Sequence, residues 1–453
     1  MIEFFRLFRS FCNSSAIHEI LHCEFWEDLK TGKAKEQVTR SFQRNKPSKN
    51  TPVPQKIAWI WEGFKSWNYP SGSLSTLLIL ALLLLTLGFG ILRSESVSIP
   101  SPLPTPAPTP TSWPWARMQS PEYGIQAFLW WHKDIAARDL QLIDDAGFTW
   151  VKQHVGWREI EGAVKGSYDW YFTDRIVADA EKLDLNLLFR LDRQPLWALP
   201  PHGSQRGPVE NPRDFGDFCH ALADRYRGRV QAYQVWNEPN LAREWQHSPP
   251  DPEGYVELLR ACYIGIKTAD PNAWVISAGL SPTGNRSSQV IPETEYLSAM
   301  YEAGAAPYFD LLGVHAPGFL YPPEISPDKV AAERDGHRFF CFRHVEDMRE
   351  IMLRYGDGDK QVAVLEMGWT TDPVHPNYAW FAVTEEQKAD YLVRAFRYAE
   401  ENWSPWIGLM TVISIADPDW TEEDEQYWWA ITEPSWPETQ VRLAYEALRE
   451  MEK

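Results

Sequence analysis

From Tyr123 to the C-terminus, short apolar runs alternate with longer amphipathic stretches, and this alternation narrows the fold more than any other feature of the chain. The runs occupy residues 124–130, 149–155, 185–191, 230–236, 273–279, 310–316, 361–367 and 406–414. Each is rich in β-forming residues and bounded by turn residues or charges, the pattern of a buried strand. Helical spacing recurs between and after them at 133–148, 170–184, 211–228, 252–270, 295–304, 343–357, 385–402 and 439–453. The stretch 211–228 opens on Asn-Pro and closes on Gly, a helix start and a helix stop. Eight strand–helix pairs in some 330 residues fit an α/β fold of the (β/α)8, or TIM barrel, type. The alternative is a doubly wound open sheet. That fold usually carries a Gly-rich phosphate turn after its first strand, and residues 124–134 have none.

The N-terminal part reads differently. Residues 74–92 carry no charge over 19 positions, about the length that crosses a hydrocarbon core. The stretch lies far from the N-terminus and no A-x-A-like cleavage site follows, which favours a retained anchor over a signal peptide. Residues 1–72 hold eleven Lys or Arg, whereas on the far side only Arg93 is close. The chain is therefore expected to place its N-terminus in the cytoplasm and its C-terminal bulk outside, as a single-pass protein of the cell membrane. Alternating Pro over 99–114 predicts an extended polyproline II stalk. The expected organisation is a cytoplasmic segment 1–72, a transmembrane helix 73–93, a Pro-rich linker 94–119 and the barrel 120–453.

Charge excludes one class of partner. The net charge is −18, and all of the acid excess falls after the membrane helix, because residues 1–72 carry more basic than acidic groups. Such a surface repels phosphate backbones, so nucleic acid is not an expected partner. Five Cys at 12, 23, 219, 262 and 341 form no visible disulfide framework, although one bridge among the last three remains open. Cys12, His18, His22 and Cys23 fit no standard zinc pattern, and His202, His220, His247 and His337 lack ligand spacing. There is no Walker sequence and no Gly-x-Ser-x-Gly elbow, so neither metal nor cofactor is expected.

In a barrel, catalytic groups sit at the C-terminal ends of the strands. The fourth strand runs into Trp236-Asn237-Glu238-Pro239-Asn240, and the seventh carries Leu365-Glu366-Met367-Gly368-Trp369. The sixth ends near His315, the second carries Lys152 and His154, and Asp192 and Arg193 follow the third. Two Glu on non-adjacent strands can face each other across the mouth. Glycoside hydrolysis needs such a pair, one protonating the leaving oxygen and the other attacking C1 or activating water. A raised pKa would keep the acid protonated near neutrality.

Trp236-Asn237-Glu238-Pro239-Asn240 closely resembles the acid/base motif of the glycoside hydrolase superfamily that carries its glutamates on strands four and seven. Cellulases, β-xylosidases, α-L-iduronidases and β-galactosidases belong to it. Residues 364–369 resemble its nucleophile strand. Trp157 to Glu161, then Gly166 to Trp170, then Asp174 resemble its segment after strand two. The resemblance covers about residues 123–450. It implies a retaining mechanism with Glu238 as acid/base and Glu366 as nucleophile. It also implies that Asn237 bonds the sugar 2-hydroxyl and that His315 contacts the nucleophile region. Trp236, Trp369, His154 and Lys152 are further substrate-contact candidates, and Trp131, Trp157 and Trp245 join the two Trp as candidate sugar platforms.

Two departures stand out. Lys152 and Gln153 occupy the place of an Arg that supports the nucleophile in that superfamily, and Arg190 or Arg193 is a candidate to fill the role. Strand eight lacks the usual Trp beneath the sugar, the nearest being Trp420. These departures keep open a non-catalytic carbohydrate-binding barrel. A membrane receptor signalling through 1–72 is a third reading, weakened by the shortness of that segment. The sugar is not legible. Specificity belongs to long loops such as 196–212 and 318–340; Arg193, Arg206 and Arg338 would suit an acidic sugar but do not select one.

Overall fold

The structure, a computed structural model, describes residues 118–200 and 208–453. The segment 1–72, the membrane helix expected at 73–93, the linker up to 117 and Arg206 lie outside the described residues. Among the described residues no helix is long and apolar enough to cross a membrane.

Eight strands form: β1 Glu122–Ala127, β2 Trp150–Gly156, β3 Asn186–Asp192, β4 Ala232–Val235, β5 Trp274–Ser277, β6 Leu311–Pro317, β7 Gln361–Gly368 and β8 Ile407–Val412. All neighbours are parallel, in sequence order, and β8 pairs back onto β1 to close the barrel. Each strand overlaps one of the eight apolar runs. Around them lie α1 Lys133–Asp145, α2 Trp157–Glu161, α3 Tyr171–Glu181, α4 Pro212–Arg225, α5 Pro252–Ala269 and α6 Glu293–Glu302. They are followed by α7 Pro327–Glu333, α8 Val345–Arg354, α9 Pro376–Ala379, α10 Glu385–Trp403, α11 Glu425–Trp429 and α12 Leu443–Glu450.

Local chemistry starts the helices where the sequence signals them. Asn211 and Asp251 accept bonds from the first-turn amides of α4 and α5, each with Pro at the first helical position. Thr384 and Gln387 close a reciprocal capping box on α10. Helices α4 and α5 touch at glycines. A Cβ on Gly265 would lie 2.4 Å from the Gly216 carbonyl oxygen. Cys219 and Cys262 bridge the same two helices, and Cys341 is free and buried.

Strand alternation sorts the side chains into two compartments. Val151, Leu187, Phe189, Val235, Val362, Val364 and Val412 face outward into the layer beneath the helices. Trp150, Leu188, Ala232, Ile276, Leu311, Ala363 and Leu409 fill the barrel interior. One step further toward the C-terminal mouth the interior becomes polar, because Lys152 follows Trp150, Arg190 follows Leu188 and Gln234 follows Ala232. The apolar layer seals the barrel, and the polar layer above it is the floor of a site.

Joining α4 to α5 across a sequence separation of 43 residues removes freedom from the unfolded chain. Replacing both Cys219 and Cys262 by Ser is therefore expected to cost roughly 2–5 kcal/mol. Calorimetry of the double Ser variant should show a lower Tm, and an unchanged Tm would mean that the α4–α5 packing alone holds this side of the barrel.

Candidate active site

Glu238 reaches the mouth because the chain turns sharply after β4. Trp236 and Glu238 have φ of 70° and 39°, a left-handed conformation that costs a residue with a side chain on the order of 1–3 kcal/mol. The turn is held from several sides. Trp236 N–H donates to the Leu191 carbonyl at 2.8 Å, and Glu238 N–H donates to the Gly279 carbonyl at 3.0 Å. The Asn240 side chain donates to the Ser281 and Ile291 carbonyls and accepts from the Ser281 amide. The end of β4 is thereby stapled to the chain leaving β5.

Glu366 reaches the mouth by a different device. Strict alternation along β7 would place it with Val362 and Val364, on the face beneath the helices. The pairing with β6 instead skips Leu365: Val314 pairs with Val364, then His315 with Glu366. The extra residue reverses the parity, as a β-bulge does, and turns Glu366 inward. Met367 then rejoins the outer layer.

The two carboxylates meet at one imidazole. His315 Nδ1 lies 3.1 Å from Glu238 Oε1 and 3.7 Å from Glu366 Oε2. An ionised carboxylate only accepts, so Nδ1 carries the proton and donates to Glu238. The ring is fully buried and lies against Gly279, where an added Cβ would meet it at 2.1 Å. The absence of a side chain at Gly279 is what gives the ring its space.

Cations balance the pair. Lys152 Nζ donates to Glu366 Oε1 at 2.9 Å and to the Leu365 carbonyl at 3.0 Å. Arg190 brings a guanidinium nitrogen to 3.6 Å from the same Oε1, and its Nε stands 3.1 Å from Asp192. Arg243 donates to Glu238 Oε2 at 3.0 Å. Burial opposes the ionisation of Glu366, but His315, Lys152 and Arg190 outweigh it and bring its carboxyl down to about 2. Burial pushes the Lys152 ammonium down to about 8, with Glu366 opposing that shift. For Glu238, burial is again outweighed, by the bond and charge of His315 and by Arg243, and its pKa is lowered. The raised acid expected from the sequence is thus not found: the hydrogen bond from His315 and the guanidinium of Arg243 favour the ionised form, which an apolar wall would not.

The remaining candidates divide. Asn237 is buried, and its Oδ1 accepts from Arg190 at 3.4 Å and from Gln234 at 3.5 Å, which leaves its NH2 as the group for another acceptor. His154 bonds Asp192 at the edge of the same network. Of the two Arg offered as support for Glu366, Arg190 is in place, whereas Arg193 turns toward Glu159, 3.8 Å away. Arg338 pairs with Asp347 at 2.8 Å and also with Asp328, not with the carboxylate pair.

The tryptophans need correction. Trp236 and Trp369 are buried, with their indole N–H groups bonded to the Glu244 and Tyr321 carbonyls at 2.9 and 2.8 Å. Trp157 and Trp245 are fully buried too. None of the four offers a free face to a sugar; they pack the shell that supports the mouth. Trp131, just after β1, is 64% exposed. Trp420 packs on Phe128 with ring centroids 4.8 Å apart.

Two groups at the mouth escaped the sequence reading. Arg243 stands five residues beyond Glu238, and an Arg in a charged loop carries no pattern of its own. Trp429 of α11 lies against Gly368, 3.5 Å from where a side chain would begin. Lys388 and Arg442 hold its loop by donating to the Trp428, Tyr427 and Ala430 carbonyls. The Tyr-Trp-Trp run at 427–429 was the available signal.

No family model and no curated protein sequence matches the chain. Solved structures do match. A family 39 glycoside hydrolase from the gut symbiont Bacteroides cellulosilyticus WH2 superposes with a TM-score of 0.53 at 17% identity, over 73% of this chain and 63% of its own. A glucosidase from Croceicoccus marinus gives 0.52 at 13% identity, over 74% and 67%. The GH5_18 protein of Streptomyces cattleya, solved in complex with GlcNAc, gives 0.53 at 13% identity, over 74% and 80%. The chain therefore spans just under two thirds of the family 39 enzyme's length. At these identities the likeness is one of fold: this is the (β/α)8 barrel found in glycoside hydrolases.

The electrostatics of Glu366 can be measured directly. Its pKa lies below the ordinary 4.5, so its contribution to stability is complete above that value and is lost as pH falls toward about 2. A carboxyl-carbon NMR titration, assigned with Glu366→Gln, should find the low value in the native chain and a higher one in Lys152→Met. An equal value in both would remove Lys152 from the account.

Proposed function

We propose that the chain is a retaining glycoside hydrolase that cleaves O-glycosidic bonds of oligo- or polysaccharide by double displacement. In the first step Glu366 attacks C1 while Glu238 gives its proton to the leaving oxygen, forming a glycosyl-enzyme. In the second, Glu238 takes a proton from water, and that water displaces Glu366 from C1. The Asn237 NH2 is placed to bond the sugar 2-hydroxyl.

The observation that carries this reading is the shared imidazole. Glu238 and Glu366 cannot lie further apart than their two distances to His315 Nδ1 allow. That limit is compatible with the separation of roughly 5–5.5 Å used by retaining enzymes. The cations around Glu366 also suit a nucleophile that must stay ionised. We further propose that residues 73–93 hold the enzyme on the outer face of a cell membrane, with 1–72 inside. The Cys219–Cys262 bridge supports an oxidising compartment for the barrel.

A non-catalytic carbohydrate-binding barrel is the second reading. It is favoured by Lys152 in place of Arg, by the absence of a Trp on β8, and by His315 and Arg243, which lower the Glu238 pKa. Assays of the full chain in detergent on aryl glycosides and polysaccharides separate the two. The enzyme reading expects hydrolysis that falls by more than about 10³-fold in Glu366→Ala. Azide should restore cleavage in that variant with inverted product. Binding of glycans by native, Glu366→Ala and Glu238→Ala chains alike, with no hydrolysis by any, would establish the second reading instead.

A further inference from the structure

Arg243 is an odd neighbour for a proton donor. It sits on the turn Ala242–Glu244, where the chain folds back after the Glu238 motif. Its guanidinium donates to Glu238 Oε2 at 3.0 Å, and its Nε stands 3.5 Å from Glu244. A guanidinium has no acceptor and keeps its proton, so on Oε2 it favours the carboxylate over the acid and leaves that oxygen no room for a proton. While Arg243 stays on Oε2, Glu238 is poorly placed to hold the proton that bond cleavage needs.

Position tells where Arg243 can go. The inner oxygen of Glu238 is held by His315, whose side chain is 2% exposed, while the outer one is held by Arg243, which is 64% exposed. Arg243 is therefore on the solvent side of the proton donor, where the leaving group departs. The other charged or titratable groups that act on Glu238 come from several elements: His315 from β6, Glu366 from β7, Lys152 from β2, Arg190 from β3, Glu244 from the turn and Tyr378 from α9. Lys152 and Arg190 are committed to Glu366 and Asp192, so Arg243 is the solvent-facing cation of the set.

We infer that Arg243 is a specificity-determining residue that selects glycosides whose leaving group carries a carboxylate. The incoming anion takes the guanidinium through a charge-assisted, two-pronged bond that a neutral hydroxyl cannot match. Drawing Arg243 from Oε2 frees Glu238 to carry its proton, so recognition of the anionic leaving group and arming of the acid become one event. This inference rests on Glu238 being the proton donor.

The test compares phenyl and 4-carboxyphenyl glycosides of the same sugars, glucose, xylose and galactose, on the full chain and on Arg243→Met and Arg243→Lys. The native chain should favour the carboxyphenyl member, and Arg243→Met should reduce that preference by about 10- to 100-fold. Arg243→Lys keeps the charge without the planar fork and should fall between. With the phenyl glycoside, Arg243→Met should move the alkaline limb of kcat/KM to higher pH, because Glu238 loses a cation and keeps its proton longer. Equal losses on both substrates with an unmoved limb would overturn the inference. Equilibrium binding of both glycosides to Glu366→Gln, with and without Arg243→Met, reads the same preference without turnover. Loss of preference there, alongside a native chain that hydrolyses nothing, would keep the role of Arg243 in binding and sink the enzyme reading; no preference in an active enzyme would do the reverse.

Discussion

Two glutamates crowded at the mouth of a barrel repel each other and resist leaving water. The site answers with His315 between the carboxylates, Lys152 and Arg190 on Glu366, and Arg243 on Glu238. Much of the surrounding structure follows from that requirement. Gly279 has no side chain because the imidazole occupies its space. Asp192 collects Arg190 and His154, which fixes the direction of the Arg190 side chain.

The backbone departs from regularity where the chemistry is concentrated. A closed parallel barrel gives every strand the same alternation, and that alternation would send Glu366 outward. One extra residue at Leu365 reverses it. The left-handed turn at Trp236 and Glu238 does for β4 what the bulge does for β7. Both irregularities are anchored by neighbours: β6 pairs across the bulge, and Gly279 and Asn240 hold the turn. Unanchored, strain of this kind would relax and take the carboxylates with it.

What could be read from the sequence was what repeats or what stands in a recognisable motif. Eight apolar runs and their helices were legible because burial on both faces leaves an unbroken apolar signature. Glu238 and Glu366 were legible as ionisable groups ending such runs. The bulge was not, since Leu365 looks like any interior residue. Trp236 and Trp369 misled, because an aromatic beside a motif has the same letter whether it faces a sugar or packs behind the strand. Arg190 was visible only as one of two choices, and its place in β3, paired with His154 of β2 and Gln234 of β4, decides for it against Arg193, which lies beyond the strand. Arg243 depends on a tertiary contact that no spacing announces.

Lys152 is the sharpest departure from the resemblance, yet it delivers an ammonium to Glu366 Oε1. The exchange costs a planar fork and makes the charge sensitive to burial, while Arg190 adds a guanidinium from the next strand. On this account Glu366 remains a competent nucleophile. The most direct measurement is to trap it. A 2-deoxy-2-fluoro glycoside with a good leaving group should form a stable adduct on the full chain, and peptide mapping should place that adduct on Glu366. An adduct on another residue, or steady hydrolysis with no covalent species at all, would contradict the account.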